Sequence, residues 1–236
     1  MSVTKTLIIG FLVFLAAVVL FQSLRLLMLK QSVNNYKVYW DKQALKPAES
    51  NAITYVALGD SAAQGIGASN PRKGYVGLLA ESLSKKYDRP VRVINLSVSG
   101  AKVNDVIRDQ LPKMEALNLP DGSIITLEIG ANDMGNFNAA DFKNQFETVL
   151  ARLPAQTVVS DIPYFGGGRA KSKEPNAVAA SVIIAQTVQK ANFRLAPLHA
   201  TTKAGDGLFV RGADFFHPSD SGYKNWHKAF AGALGL

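Results

Sequence analysis

At 236 residues and 47% apolar content, the chain is long enough for one domain with a buried core plus an appendage, which excludes a disordered protein. The formal charge of +8 is unevenly spread: residues 1–50 carry six Lys/Arg against two Asp/Glu, and the other 186 carry 20 against 16, with no basic stripe of the kind nucleic acid demands. The absence of cysteine excludes disulfides, thiolate metal sites, a thiol nucleophile and a lipid-modified N-terminal cysteine, while leaving the redox compartment open.

The first predicted element is apolar on every face. Residues 7–21, LIIGFLVFLAAVVLF, contain no polar side chain, and after Gln22 and Ser23 the apolar character resumes to Leu29, broken only by Arg25. This total is sufficient to span a bilayer. A cleaved signal segment is one reading, because Lys5 supplies a charged start, but no small-x-small cleavage pattern follows Phe21, which favours a retained anchor over residues 1–30. Residues 31–50, polar with scattered aromatics and ending in Pro-Ala-Glu-Ser, read as a linker, and residues 51–236 as the domain.

Within the domain, short β-branched runs at 53–58, 91–96, 123–129 and 157–160 predict strands, with a weaker one near 194–198. Helical patterns lie between them at 75–87, 103–110, 141–152 and 177–192, and a last one covers 219–234. Such alternation predicts an α/β fold, a parallel sheet covered by helices on both faces. Ligands of such sheets sit at the carboxyl ends of the strands. The residues to inspect are therefore Gly59-Asp60-Ser61, Ser97-Val98-Ser99-Gly100, Gly130-Ala131-Asn132-Asp133, and Asp214 with His217 after the last weak strand.

A serine hydroxyl becomes nucleophilic when a base takes its proton, and the base needs a third group to fix its tautomer. Ser61, following a strand and preceding the small-residue stretch AAQGIG, is placed to be that nucleophile. His217 is the candidate base, Asp214 three residues earlier can orient it, and Pro218 stiffens the turn. Negative charge developing on a carbonyl oxygen also needs donors. Gly100 offers a backbone N–H, Asn132 a carboxamide, and Ser61 its own amide.

Gly59-Asp60-Ser61, Gly100, Gly130-Ala131-Asn132-Asp133 and Asp214-Phe215-Phe216-His217-Pro218, in this order and after these strands, resemble the four blocks of the SGNH/GDSL hydrolases. The resemblance covers 53 to about 232. It implies a three-layer α/β/α, flavodoxin-like fold and a serine esterase that works through an acyl-enzyme and needs no cofactor and no metal. By the same resemblance Ser61, His217 and Asp214 are the catalytic residues, and Ser61, Gly100 and Asn132 form the oxyanion hole. Asp60 and Asp133 then support the site. Ala62 departs from the leucine of the motif's name. The implied partners are a lipid or glycan ester and, through the N-terminal helix, a membrane; oligomeric state is open. Alternatives from other classes are a binding module on the same fold, and an acyltransferase using the same site.

The side of the membrane is argued two ways. Arg25, Lys30 and Lys37 outnumber Lys5 and the amino terminus, which favours a cytoplasmic domain, whereas a span ahead of a hydrolase domain implies export. The expectation adopted is extracytoplasmic. Competing motifs fail: Ala63 stands where G-x-S-x-G needs its second glycine, and GIGASN (65–70) lacks the third glycine of a dinucleotide loop. His199, read as a loop residue, and His227, inside the last helix, are expected to be structural or exposed. The basic, glycine-rich stretch 164–175 reads as a surface loop, or as a substrate wall in which Arg169, Lys171 and Lys173 favour an anionic substrate.

Overall fold

The computed structural model describes residues 3–47 and 49–236. Helix α1 (Val3–Ala44) leads into β1 (Ile53–Gly59), the short α2 (Ser61–Gln64), α3 (Tyr75–Tyr87) and β2 (Val91–Asn95). Next come α4 (Val103–Asp105), a π-helical turn (Val106–Gln110), α5 (Leu111–Glu115), β3 (Ile124–Glu128) and α6 (Ala139–Ala151). The chain closes with β4 (Val158–Ser160), α7 (Glu174–Lys190), β5 (Arg194–Ala196), α8 (Leu198–Ala204) and α9 (Asp220–Leu234). The strands pair in parallel in the order β2-β1-β3-β4-β5. This is a flavodoxin-like order, and its direction reverses between β1 and β3, where the strand ends leave a crevice.

The period-2 geometry of β1 explains the three layers. Val56 and Leu58 point into one core with Leu127, Phe146 and Ile184, while Tyr55 and Ala57 point into the other with Leu79, Tyr223 and Phe230. On the second face Tyr75 stacks on Phe230 at 4.8 Å between ring centroids. Both faces of the strand are buried, so apart from Thr54 its sequence is apolar rather than alternating.

Two expectations change. Residues 31–44, expected as part of a linker, are helical: α1 runs without a break to Ala44, and Ser32 and Trp40 are buried against the domain. Trp40 donates its indole N–H to Gln64 O (2.9 Å), Tyr36 its hydroxyl to Ala68 O (2.8 Å), and Arg92 a guanidinium N–H to Ala44 O (3.0 Å). The aromatics that look scattered in sequence are the docking face of a helix. Ala48 in the expected linker and the first two residues of the expected anchor lie outside the described residues. His199 lies in the first turn of α8 rather than in a loop; its N–H donates to Asp161 Oδ1 (2.7 Å) and its ring Nε2 meets Glu174 Oε1 (3.0 Å). His227 is half-buried beside the Ser82 hydroxyl (2.8 Å), and burial lowers its pKa.

Candidate active site

The residues singled out after β1 and β5 converge. Ser61 is the first residue of α2, and its Oγ lies 2.9 Å from His217 Nε2. His217 Nδ1 lies 2.6 Å from Asp214 Oδ2. The other oxygen, Asp214 Oδ1, accepts the N–H groups of Phe216 (3.1 Å) and His217 (3.0 Å), so one carboxylate shapes the turn and holds the ring. Burial pushes the Asp214 carboxyl up, but the imidazole and the two amides outweigh it and hold it below its usual value.

Neighbouring backbone fixes where the ring sits. Gly212 donates its N–H to His217 O (2.7 Å) and Ser219 to Val210 O (3.0 Å), closing the turn; Phe215 within it takes a φ of +56°, strained for a bulky side chain. Gly67 packs against this turn. A Cβ there would come within 2.4 Å of Pro218 O and 2.8 Å of His217 Cβ, so the GIGASN stretch serves as the seat of the histidine loop.

Asp60 is the buried hub below Ser61. Its Oδ1 accepts the Ala62 N–H (2.9 Å) and caps α2; its Oδ2 accepts from Asn132 Nδ2 (3.0 Å). Asn132 Nδ2 also donates to Ala101 O (3.0 Å), so both carboxamide hydrogens are engaged. Gly100, at a φ of +82° with open space around its Cα, has an amide that donates to no acceptor among the described residues. The Ser61 amide, at the first position of its helix, has no carbonyl of α2 to donate to. Asp133 Oδ2 accepts the Val103 N–H (3.2 Å), tying the end of β3 to α4.

Three residues beyond the sequence reading complete the support. Gln110, in the π-helical turn, grips Gly59 from both sides, accepting its N–H (2.9 Å) and donating to its carbonyl (2.8 Å). Gln64 donates to Ser97 O (2.9 Å) and accepts from the Ser99 hydroxyl (2.6 Å), linking α2 to the loop that carries Gly100. Glu128, the last residue of β3, is fully buried against Asp60; burial and the Asp60 charge hold it well above the usual carboxylate range. Asp60, with N–H donors from Ala62 and Asn132, is the partner that carries the charge. Only Glu128 left a sequence signal, an acidic side chain ending an apolar strand.

Burial raises Asp133 to about 6. A carboxyl raised by folding favours the protonated native state, so its contribution to stability is greatest below the unfolded value of about 4 and is lost as pH rises through 6. Asp133→Asn removes that loss. The Tm of the variant minus that of the parent therefore increases between pH 4 and pH 7, and a flat or falling difference contradicts the assignment.

The Ser61 and His217 side chains face a cleft with an interior of about 70 Å³, walled by Ala131, Phe165, Ala170, Val210, Phe215 and Phe216. The stretch 164–175 supplies part of this wall, through Tyr164, Phe165, Gly167 and Ala170, and forms a 3₁₀ turn at Gly168–Lys173. Gly100 and Asn132 lie outside the lining. With this geometry in view, residues 57–224 match the model of the GDSL-like lipase/acylhydrolase family. The chain belongs to that family. It is a GDSL-type carboxylic ester hydrolase.

Solved structures share the fold at low identity. LAE5, an α/β hydrolase from the metagenome of Lake Arreo in Spain, is 20% identical with a TM-score of 0.64, over 78% of this chain and 96% of that one. Axe2, an acetylxylan esterase of Geobacillus stearothermophilus, is 17% identical with a TM-score of 0.60, over 80% and 97%. An extracellular lipase of Streptomyces rimosus is 22% identical with a TM-score of 0.55, over 77% and 100%. No curated protein matches the chain.

Proposed function

We propose that this GDSL hydrolase is a membrane-anchored serine esterase in which Ser61 carries the acyl group. The observation that supports it is the unbroken chain from Asp214 Oδ2 through His217 to Ser61 Oγ, at 2.6 and 2.9 Å. Ser61 Oγ attacks the ester carbonyl while its proton passes to His217 Nε2. Asp214 keeps the other ring nitrogen protonated and stabilises the cation. The tetrahedral oxygen takes the free amides of Ser61 and Gly100. Asn132 joins them by turning one N–H from the neutral Ala101 carbonyl to the charged oxygen, the stronger acceptor. The alcohol departs with the proton from Nε2, leaving an acyl-enzyme. Water then attacks, gives its proton to Nε2, and releases the acid as Ser61 regains its hydrogen.

The substrate class is an acyl ester of a lipid or a carbohydrate, the two classes named for the Streptomyces and Geobacillus neighbours. Helix α1 remains attached as the anchor. Its Gln22 donates to Ala213 O (2.7 Å) beside Asp214, and its Trp40 is buried in the domain, which supports a helix integral to the folded protein.

A serine-directed fluorophosphonate tests the mechanism. The reagent is expected to modify the native chain once, at Ser61, with the adduct located by peptide mass; modification elsewhere, or none, removes the proposal.

A further inference from the structure

The mouth of the active site and the apolar helix share one loop. Gln22, within the apolar stretch, bonds the carbonyl of Ala213 at 2.7 Å, and a Cβ on Gly212 would touch Leu29 Cδ1 at 3.5 Å. Phe209 and Ala213 line the same surface cleft as Arg25, Met28 and Leu29. Val210, Arg211 and Phe215 line the cleft that holds Ser61. The segment 208–216 is therefore the partition between α1 and the esterase site.

The depth of this partition follows from helix geometry. At 1.5 Å per residue, about 20 residues cross a hydrocarbon layer of about 30 Å. Counted from Leu7, the layer ends near Leu26, so Gln22 lies about 6 Å inside its edge. The bond from Gln22 holds the histidine loop at that level, and the docking of Tyr36 and Trp40 stops the domain from swinging away.

The loop has the surface such a position calls for. Leu208 is 93% exposed, Phe209 81% and Phe215 57%, three large apolar side chains within eight residues. Single exposed apolar residues are ordinary, but here they cluster where the chain meets the span. Basic residues adjoin them: the backbone N–H of Arg169 donates to Phe215 O (3.4 Å), Lys173 Nζ lies 5.7 Å from the Phe216 ring, and the exposed Lys171 lies between these two in sequence. Apolar side chains flanked by cations suit an acyl boundary beneath anionic headgroups.

We propose that segment 208–216 dips into the lipid surface, so that the cleft opens onto the bilayer and takes acyl esters resident in the membrane. The proposal rests on the reading of α1 as a retained anchor. It narrows the substrate class from lipid or carbohydrate esters to lipid esters.

The chain lacks cysteine, so single cysteines in the full protein can each carry one nitroxide label. In phosphatidylcholine vesicles containing phosphatidylglycerol, labels at Leu208→Cys and Phe209→Cys are expected to collide more with oxygen than with a nickel chelate, as a label at Val13→Cys does. A label at Val182→Cys, exposed on α7, is expected to show the reverse. If positions 208 and 209 behave like 182 while 13 remains in lipid, the anchor stands and the surface contact is overturned. If 13 also reports water, the anchor reading fails and takes the proposal with it. A functional arm uses Leu208→Asp combined with Phe209→Asp: hydrolysis of 4-methylumbelliferyl palmitate in vesicles falls about tenfold or more, while water-soluble p-nitrophenyl acetate is hydrolysed as before. An unchanged rate on the vesicle-borne ester overturns the proposal.

Discussion

Ser61→Ala is expected to lower turnover of a chromogenic ester by at least ~10³-fold, close to 4 kcal/mol of lost transition-state stabilisation. The loss is large because the remaining groups act through the hydroxyl: without it, His217 has no proton to accept and Asp214 steadies a ring that does nothing. It is not total, since the Ser61 and Gly100 amides remain and can still polarise a carbonyl attacked by water. Little else should move. Among the described residues the hydroxyl bonds only His217 Nε2, and the N-cap of α2 belongs to Asp60, so Tm is expected to stay close to that of the parent. A series of esters of increasing acyl length, with the variant beside the parent, checks both points. Unchanged turnover removes Ser61 from the mechanism, and an equal loss accompanied by a collapsed Tm would assign the effect to folding.

What could be seen in the sequence was whatever local chemistry fixes. The strands at 53–58 and 91–96 stand within a residue of β1 and β2: the first is buried on both faces and nearly all apolar, and the second keeps its β-branched Val91, Val93 and Ile94 around Arg92. The helix at 75–87 coincides with α3, since its 3.6-residue stripe must face the sheet. Ser61, Asp214 and His217 were legible because a strand end and a three-residue turn place them by short-range rules. Contacts made at a distance were not. Nothing near Gln110 says that it will clasp Gly59, 51 positions earlier, and nothing near Gly67 says that the His217 turn will press on it. The carboxamide of Asn132 was expected to face substrate, and its engagement with Asp60 and Ala101 depends on two other loops. The stretch 31–44 misled for a different reason: its polar residues face water along one side of a helix whose aromatic side meets a surface that only the folded domain creates.

That surface leads to the second large effect, on stability. Trp40→Ala is expected to cost about 3–5 kcal/mol, the range for deleting a large buried aromatic. Trp40 is 3% exposed and packs in the core cluster that includes Ala62, Ala63 and Tyr75. A cavity there would lie directly under α2, and the carbonyl of Gln64 would lose its indole donor. For a chain of this size the deficit corresponds to a fall in Tm of roughly 6–20 °C. Trp40→Phe, which keeps most of the burial and loses only the N–H, should cost nearer 1 kcal/mol. Denaturant melts of the full chain in detergent separate these cases. A Trp40→Ala midpoint within about 0.5 kcal/mol of the parent would be the behaviour of a solvated linker, and would mean that α1 does not dock as described. Because Gln64 also bonds Ser97 and Ser99 on the way to Gly100, the same substitution should lower ester turnover at temperatures where the fold is intact. Helix α1 would then be a brace for the proposed nucleophile as well as the proposed tether, which a flexible linker could not provide.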